Sequence, residues 1–481
     1  MNNDARIPPQ NLEAEQSALG AMLLDREAIL VAEGSIRPED FYRDAHRQVF
    51  TGMLDLYRRR EPVDLITLGE WLKQRDLLDT IGGMLFLTTI MSQVPSAAGM
   101  AHYCKIIQEK AIRRAAIQAA DAIMQDAYEG TDALDVFVPA SEQRMMALED
   151  MLTIGQRGPR GLGEITAQVS QDYYDALENH QTPGFRTNWC GLNGICSPFR
   201  PAQVTMIGGR PGTGKTALLL QMALSFAEQD IPGLMFSLEM DGLQLGLRAL
   251  LAYMHTSSMD LNDFTYISEN KDFINQEMAQ AVENVWPFKL AIDDRASITM
   301  AEMERTIRRW NQQHQHLEYV MVDYLQLANM EQRRGETTND ALSRIMNGLR
   351  KIAKDFKTHV FVLSQLTREV EDQPIKRPSL RNFLGSGSIE ANAFRVIGLY
   401  RPEFYGDDEC QRMGFDASEY PGMMELTMLK QRDGGSAKTP DGRLIRGAWM
   451  VFDGDHYRFR DVPYDTHIRF MQQIHAKGNG E

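Results

Sequence analysis

Apolar residues in the first part of the chain recur at helical spacing. Leu12 and Leu19 would lie on one face of a helix, and Asn11 stands in front of them as a favourable cap. Helical spacing returns across residues 102–124, a stretch without glycine or proline. This pattern predicts a small all-α domain over residues 1–150.

From about residue 184 the pattern changes to short apolar runs that alternate with helical segments. The runs are 204–207, 234–236, 290–292, 319–322, 360–363, 396–400 and 426–429. Strands that are apolar on both faces and separated by helices are typical of a mainly parallel sheet covered on each side. The predicted fold class is therefore α + α/β, with the α/β domain over residues 184–481.

Residues 151–183 separate these two regions. Within them, GQRGPRGLG at 155–163 contains four glycines and one proline, so its backbone has little reason to hold one conformation. The next segment carries an apolar residue at every fourth position, namely Ile165, Val169, Tyr173 and Leu177. This spacing predicts one short helix with a narrow apolar stripe. The stripe could pack on its own domain or on a neighbouring subunit, and the sequence leaves both open.

The composition excludes several classes of protein. The 481 residues are 43% hydrophobic and 24% charged, which are ordinary values for a globular chain of roughly two or three domains. No apolar run approaches the ~20 residues that cross a bilayer, and the N-terminus lacks a signal-peptide pattern. A cytoplasmic protein without a membrane partner is expected. The four cysteines form no Cys-x-x-Cys pair, which argues against a disulfide framework or a zinc ribbon.

The net charge of −15 argues against a uniformly basic surface, but residues 331–377 depart from this trend. They contain ten Lys or Arg and seven acids, and a local excess of this kind is enough to bind phosphates. Polar loops in and after this stretch hold the candidate nucleic-acid contacts, which are Arg333, Arg334, Arg381, Gly385, Ser386 and Gly387.

A full P-loop motif follows the run 204–207 and opens an apolar helical segment. It consists of Gly209, Arg210, Pro211, Gly212, Thr213, Gly214, Lys215 and Thr216, with Ala217 next. Its glycines let backbone N–H groups turn toward phosphate oxygens, and the helix N-terminus adds positive potential there. Lys215 is expected to reach the β- and γ-phosphates, and the Thr216 hydroxyl to hold Mg²⁺. The motif therefore predicts ATP and Mg²⁺ as ligands.

Polar residues follow three of the other apolar runs. Asp323 ends one run where a P-loop protein needs a second carboxylate on the magnesium side. Glu239 follows another, and at the carboxyl edge of a parallel sheet it could polarise an attacking water, although a surface acid is the alternative. Gln365 follows a third, where its amide could sense the γ-phosphate.

Lys430 and Arg432 follow the last run, on what the pattern predicts to be an exposed turn at the same edge of the sheet. Exposed cations are usually solvated, which is the first interpretation of this pair. The second is that they reach a nucleotide bound to a neighbouring subunit, as an arginine finger does.

Several phrases stand in a specific order along nearly the whole chain. They are IPPQNLEAEQSALGAMLLD, PEDFYRDAHRQVF, GRPGTGKTALLLQMA, FSLEM, VDYLQL, VLSQLTREVE, GSGSIE and KQRDG. In these phrases the sequence resembles the DnaB-type replicative DNA helicases. The P-loop alone is generic, whereas FSLEM, VDYLQL and SQLTR after that N-terminal segment are specific to the family.

The resemblance implies a RecA-like motor domain, a helical N-terminal collar that receives primase, and a linker helix that joins neighbours into a ring. It implies a homohexamer around single-stranded DNA that moves 5′ to 3′ on ATP and is served by a helicase loader. It makes Glu239 the catalytic carboxylate, Gln365 the γ-phosphate sensor, and Lys430 with Arg432 the trans-acting finger. Arg248, nine residues after Glu239, matches an arginine of the family's nucleotide site.

Two stretches depart from the family pattern. Residues 382–385 are Asn-Phe-Leu-Gly where the family's DNA-binding loop usually has Asp-Leu-Arg-Glu. Residues 391–394 are Ala-Asn-Ala-Phe where the family usually has Gln-Asp-Ala-Asp. These changes leave the nucleotide chemistry intact and alter the expected DNA contacts, which would fit a divergent phage or mobile-element member.

Two other functions fit parts of the sequence. A nucleotide-regulated scaffold on DNA would fit the altered stretches, but it has no need of Glu239 to orient a water. A RecA-like recombinase would share the motor core, but its filament does not explain the N-terminal domain. A ring-shaped helicase motor accounts for both features.

Overall fold

A computed structural model of the chain describes residues 7–92, 99–130, 133–152, 161–178, 183–323, 337–383, 387, 391–413, 416–418, 420–433 and 447–462. The chain folds into two compact units, Met1–Ala167 and Gln168–Glu481. Within the described ranges, no helix is both long and apolar enough to cross a membrane.

The N-terminal unit is helical, as predicted. Its helices are α1 (Leu12–Leu24), α2 (Arg26–Ser35), α3 (Asp44–Arg58), α4 (Leu65–Lys73), α5 (Leu78–Ile81), α6 (Gly83–Ser92), α7 (Met100–Glu129) and α8 (Leu134–Leu152). The predicted cap is present, because the Asn11 side chain accepts a hydrogen bond from the Ala14 backbone N–H at 3.0 Å. Leu19, Phe50 and Leu72 are fully buried where α1, α3 and α4 contribute to one apolar core.

The second unit is built on a sheet that, in the described residues, has nine strands. They are β1 (Val204–Gly209), β2 (Gly233–Ser237), β3 (Leu290–Asp293), β4 (Tyr319–Asp323), β5 (His359–Gln365), β6 (Arg395–Tyr400), β7 (Met423–Gln431), β8 (Gly447–Asp453) and β9 (Arg458–Asp461). Their order is β3-β2-β4-β5-β1-β6-β7-β8-β9. The first six strands are parallel, and β7 to β9 pair antiparallel. All seven predicted strands are present, whereas β8 and β9 were not predicted.

Helices cover both faces of this sheet. They are α10 (Cys190–Ile195), α11 (Lys215–Ala227), α12 (Gly242–Leu251), α13 (Phe264–Glu269), α14 (Lys271–Val285), α15 (Met300–Gln313), α16 (Thr338–Asp355) and α17 (Asp407–Arg412), while α9 (Leu162–Glu178) spans the division between the units. Side chains alternate along β1, so Ile207 packs with α11 on one face and Met206 packs with α15 and α16 on the other. This three-layer arrangement matches the predicted α/β fold.

The direction of β7 corrects one expectation. Gln431 of β7 pairs with Arg395 at the start of β6, and Arg395 pairs with Thr205 near the start of β1. The P-loop follows the other end of β1, a six-residue strand that spans roughly 17 Å. The prediction that Lys430 and Arg432 lie at the carboxyl edge was wrong, because β7 runs antiparallel and ends at the amino edge. Lys430 also lies inside the strand and not on a turn.

Candidate active site

The P-loop joins the end of β1 to the first residue of α11, as the motif predicts. Gly212 and Gly214 have φ angles of 78° and 97°, a left-handed conformation that residues with a side chain rarely adopt. Turns of this kind direct successive backbone N–H groups to one side, where phosphate oxygens can bind. The N-terminus of α11 adds its positive end to the same place.

The P-loop forms one wall of a cavity of about 420 Å³, which falls in the range of small-molecule sites. Its lining residues are Pro211, Gly212, Gly214, Lys215, Thr216, Ala217, Glu239, Met240, Arg248, Asp323, Leu363, Gln365, Phe452, Gly454 and Tyr457. The carboxyl ends of β1, β2, β4 and β5 therefore meet at one cavity, and the chemical groups predicted at those ends line it together.

Lys215 lies in a partly desolvated position within this cavity. Its ammonium donates to the Arg210 carbonyl oxygen at 3.0 Å. Burial lowers the pKa of Lys215, while the carboxylates of Asp323 and Glu239 act in the opposite direction. A phosphate bound here would add negative charge beside the ammonium and stabilise its charged form.

Thr216 and Asp323 are suited to hold Mg²⁺. The Thr216 hydroxyl donates to a carboxylate oxygen of Asp323 at 3.0 Å. Neighbouring oxygens around an octahedral magnesium ion are separated by about 3 Å, because each lies about 2.1 Å from the metal. The two oxygens fit adjacent ligand positions, and bound Mg²⁺ would supply positive charge to phosphate oxygens.

Glu239 and Gln365 both line this cavity, from the ends of strands β2 and β5, which have β4 between them. Glu239 is exposed just beyond the end of β2, so its carboxylate is open to water. Gln365 ends β5 and lies beside Gly209 in the register between β5 and β1. A carboxylate can take a proton from attacking water, and an amide can bond to a phosphate oxygen. The roles assigned to the two residues remain predictions.

Three members of the P-loop motif do not line the cavity. The Arg210 guanidinium donates to Glu371 at 2.6 Å and to the Leu366 carbonyl at 2.9 Å, so it braces the segment after β5. The Thr213 hydroxyl donates to the Arg210 carbonyl at 2.7 Å and stabilises the turn. The side chains of Arg210 and Thr213 thus bond within the loop and to its neighbours. The nucleotide contacts of Gly209, Arg210 and Thr213 remain predictions.

Another part of the cavity wall contains three residues, two of them aromatic, that sequence reasoning missed. Phe452, Gly454 and Tyr457 come from the hairpin between β8 and β9. The Arg248 guanidinium carbon lies 4.7 Å from the centre of the Tyr457 ring, within cation–π range. Asp453-Gly454 between alternating residues is a hairpin signal that could have revealed this wall.

Hydrogen bonds fix this hairpin to the chain that follows α12. Arg458 Nε donates to the Ala252 carbonyl at 2.6 Å, and a ring nitrogen of His456 lies 2.8 Å from the His255 carbonyl. Tyr457 is consequently held against α12, the helix that carries Arg248. The pair presents a flat aromatic and cationic surface of the kind that stacks on a nucleotide base.

The finger candidates occupy the amino edge of the sheet. Lys430 Nζ donates to the Ala393 carbonyl at 2.9 Å, and the Arg432 guanidinium donates to the Ala391 carbonyl at 2.6 Å. Neither residue lines the cavity of its own chain. Their distance from that cavity argues against a role on the chain's own nucleotide.

The candidate nucleic-acid contacts divide into two groups. Arg333, Arg334, Gly385 and Ser386 lie outside the described residues. Arg381 and Gly387 are described, and both are exposed.

Buried acidic residues form ion pairs with two basic residues of the 331–377 stretch. Arg377 Nε donates to buried Glu425 at 2.7 Å, and Lys376 Nζ lies 3.9 Å from buried Glu409. Since these charges are paired, the positive excess available to a phosphate backbone in this stretch is smaller than the residue count suggests.

The predicted helix between the domains is present as α9, and none of its residues is buried. Ile165, Val169 and Leu177 are 40%, 49% and 66% exposed. Tyr173 accepts a hydrogen bond from Arg200 at 3.0 Å, but it is itself 43% exposed. The described residues of this chain therefore leave the apolar stripe largely uncovered, which disfavours packing on its own domain.

Comparison with known proteins identifies the family of the chain. The DnaB-like helicase C-terminal domain matches residues 184–440, and the DnaB-like helicase N-terminal domain matches residues 7–109. The replicative DNA helicase DnaB of Geobacillus stearothermophilus is 33% identical over 435 residues, 89% of this chain and 91% of that protein. The chain belongs to the DnaB-like helicase family. It is a replicative DNA helicase, an enzyme that depends on ATP.

Two further similarities extend over most of the chain. The replicative DNA helicase DnaC of Bacillus subtilis is 32% identical over 435 residues, again 89% of this chain and 91% of that protein. A solved structure of a DnaB-like replicative helicase, described together with its interactions with primase, has a TM-score of 0.70 at 22% identity. The match covers 94% of this chain and 100% of the solved chain, so the two chains share a fold.

Proposed function

We propose that this helicase works as a homohexameric ring that moves 5′ to 3′ on single-stranded DNA in the cytoplasm. Residues 1–150 form a collar, residues 151–183 a linker with its helix, and residues 184–481 the ATPase motor. ATP with Mg²⁺ binds in the P-loop cavity, and the neighbouring subunit completes each site with Lys430 and Arg432.

One observation carries this proposal: the two finger candidates lie at the amino edge, across the sheet from their own P-loop. A cation there can assist hydrolysis only at a nucleotide bound to another subunit. Head-to-tail contact of this kind generates a closed ring when the rotation between subunits closes. The uncovered stripe of α9 supports the same assembly, because a neighbouring subunit can bury it.

Each group at the carboxyl edge has a distinct role in the proposed reaction. Lys215 binds the β- and γ-phosphates, and Thr216 with Asp323 holds Mg²⁺. Glu239 accepts a proton from the attacking water, and Gln365 responds to the γ-phosphate. Arg432 neutralises the charge that develops on the transferred phosphoryl group, which is where electrostatic stabilisation has its largest effect.

The proposed partners are single-stranded DNA, primase and a helicase loader. Primase contact through the N-terminal domain is supported by the similar solved structure, which is described with its primase interactions. DNA contact is assigned to Arg381 and Gly387, which are exposed, and to Arg333, Arg334, Gly385 and Ser386. The altered residues 382–385 lie among these contacts and distinguish this chain from the family pattern.

A mixing experiment tests the trans arrangement. Arg432→Ala should bind ATP and form rings, yet lose up to ~10³- to 10⁵-fold in turnover, because the finger is gone. Rings that contain both Arg432→Ala and Lys215→Ala subunits should regain hydrolysis at junctions where an intact P-loop meets an intact finger. The two subunits carry different tags and are purified on both tags, so every ring measured is mixed.

The matched control is Arg412→Ala, an arginine that is 53% exposed and lies on α17. It should hydrolyse ATP at the wild-type rate and unwind a forked duplex with a 5′ tail. Wild-type hydrolysis by Arg432→Ala alone, or mixed rings as inactive as both parents, would contradict the trans finger.

A further inference from the structure

A buried arginine lies directly behind the proposed finger. Arg395, the first residue of β6, has a fully buried side chain, and its guanidinium lies 4.9 Å from the centre of the Phe199 ring. Arginine is rarely buried without partners, because its charge is costly to remove from water. The hydrogen-bond acceptors around this guanidinium therefore indicate which parts of the chain Arg395 holds together.

Those acceptors include the two residues that alternate with the finger residues. Arg395 donates to Gln431 at 3.2 Å and approaches Asp433 at 3.5 Å. It also donates to the Ser197 hydroxyl at 2.7 Å and to the Thr205 hydroxyl at 3.3 Å. Three of its nitrogens are thus directed to polar groups on three separate segments of the chain.

Ser197 completes the arrangement from a segment far away in sequence. Its backbone N–H donates to the Gln431 side-chain oxygen at 3.2 Å, and its hydroxyl donates to Asp433 at 2.8 Å. The side-chain oxygens of Gln431 and Asp433 each accept from both Arg395 and Ser197. We call Arg395 and Ser197 together the clamp.

The clamp holds every second residue of the finger segment. Side chains alternate along a strand, so Lys430 and Gln431, the last two residues of β7, lie on opposite faces. The bonds of Asp433 to the clamp continue this alternation past the end of the strand. The contacts follow this alternation, since Lys430 and Arg432 bond to the carbonyls of Ala393 and Ala391 instead. Fixing one face of the segment fixes the direction in which the other face points.

We infer that the clamp positions the trans-acting Lys430 and Arg432, acting through Gln431 and Asp433. This inference rests on the proposed function of that pair. Gln431 is the last residue of β7, and beyond it Arg432 makes one further backbone bond, to Phe394 at 3.2 Å. The clamp therefore fixes the end of β7, where the backbone hydrogen bonds between β6 and β7 stop.

The arginine of the clamp is itself held from behind. The Thr205 hydroxyl lies 2.9 Å from Nε2 of the fully buried His359, and Nδ1 of that ring lies 2.7 Å from the Arg200 carbonyl. A carbonyl only accepts, so Nδ1 donates and the neutral ring accepts from Thr205 at Nε2. The Thr205 oxygen is then free to accept from Arg395. This series of hydrogen bonds, from the Arg200 carbonyl through His359 and Thr205, fixes the orientation of the Arg395 guanidinium.

Displacement of the finger is the expected consequence of removing the clamp. A charge that stabilises a transition state must lie within a few tenths of an ångström of its place, and a shift of about 1 Å can cost ~10²-fold. None of the clamp residues lines the nucleotide cavity of its own chain. They are positioning residues, and their loss should change kcat while leaving the KM for ATP nearly unchanged.

Asp433→Ala and Ser197→Ala test the clamp at its partly exposed end, where folding is least at risk. Each variant should form rings and lose ~10- to 10²-fold in kcat, with the KM for ATP within about twofold of wild type. Asp433→Asn keeps a side-chain oxygen that accepts from Ser197 and Arg395, so it should retain most of the rate. Ser225→Ala is the matched control, because that buried hydroxyl bonds to the Asn188 backbone at 2.7 Å and does not contact the finger segment.

Mixed rings separate positioning from a general loss of structure. Asp433→Ala has an intact P-loop, so doubly purified rings with Lys215→Ala should regain hydrolysis, as rings of Arg432→Ala with Lys215→Ala should. Recovery in both mixtures supports the clamp. Recovery only with Arg432→Ala, or wild-type kcat in Asp433→Ala, overturns the clamp and leaves the trans finger standing. Recovery in neither mixture overturns both.

Discussion

The two edges of the central sheet are built in different ways. At the carboxyl edge, Lys215, Glu239 and Gln365 border a cavity that is open to water and to a nucleotide. At the amino edge, Arg395 and His359 are completely buried, and both bond to the Thr205 hydroxyl. The carboxyl edge presents these polar groups to a ligand, whereas Arg395 and His359 at the amino edge are bonded within the fold.

This difference shows how one sheet can serve two neighbouring sites. Groups that react must stay accessible and adjustable, so they are left at strand ends beside a cavity. In the proposed ring, groups that position a trans-acting cation must not move, which agrees with the burial and hydrogen bonding of Arg395 and His359. The expected effects of mutation follow the same division: changes at the carboxyl edge lower turnover directly, whereas changes at the amino edge lower turnover through the finger or lower the stability of the fold.

The largest expected effect is at the P-loop lysine. Lys215→Ala should lower ATP turnover by more than ~10³-fold, because the charge that develops on the phosphates loses its nearest cation. Phosphate release at saturating ATP and Mg²⁺ measures this. Lys271→Ala, an exposed lysine at the start of α14, should match wild type. Retained turnover in Lys215→Ala would remove the carboxyl edge from its assigned chemistry.

Glu239→Gln should separate binding from hydrolysis at the same edge. The amide keeps the shape of the side chain but cannot accept a proton, so turnover should fall ~10²- to 10⁴-fold while ATP still binds. Single-turnover hydrolysis and the affinity for a fluorescent ATP analogue measure the two properties. If turnover stays near wild type, Glu239 is an ordinary surface acid, which was the other interpretation of the sequence.

A smaller effect is expected on the wall that the β8–β9 hairpin contributes. Tyr457→Ala should raise the KM for ATP about 3- to 10-fold with kcat nearly unchanged, since a stacking surface beside Arg248 is worth about 1 kcal/mol. Tyr457→Phe keeps the ring and should behave like wild type in the same steady-state assay. A fall in kcat without a change in KM would show that Tyr457 acts on the reaction and not on base binding.

The last prediction concerns the stability of the amino edge and not the rate of turnover. Burial, together with the nearby Arg395 charge, lowers the pKa of His359 to about 3, against about 6.5 in an unfolded chain. Between these values the unfolded state binds the extra proton, so stability falls as the pH is lowered, by up to about 1.4 kcal/mol per pH unit.

His359→Gln lacks this contribution. The difference between wild type and His359→Gln in the free energy of unfolding, measured with urea from pH 7 to pH 5, should shrink toward low pH with that slope. A difference that is independent of pH would mean that the ring takes up its proton at the same pH in the folded and the unfolded protein, and the assigned bonding of Thr205 would be wrong.

The sequence by itself determined the carboxyl edge. The P-loop is a contiguous motif, and Asp323, Glu239 and Gln365 each follow an apolar run within three residues. In parallel strands all such ends meet at one edge, so no knowledge of packing was needed to bring these residues together. The seven predicted strands and the helical N-terminal unit were equally accessible, because local periodicity encodes them.

Only the tertiary structure decided the amino edge and the wall of the cavity. Periodicity identifies a strand but not its direction, and the antiparallel pairing of β7 reversed the expected location of Lys430 and Arg432. The clamp, Ser197 and Arg395, holds Asp433, and the separations of these three residues along the chain leave no local signature. Contacts of that kind arise from how strands and loops pack, since burial forces each polar group to bond with whichever partner the fold brings near.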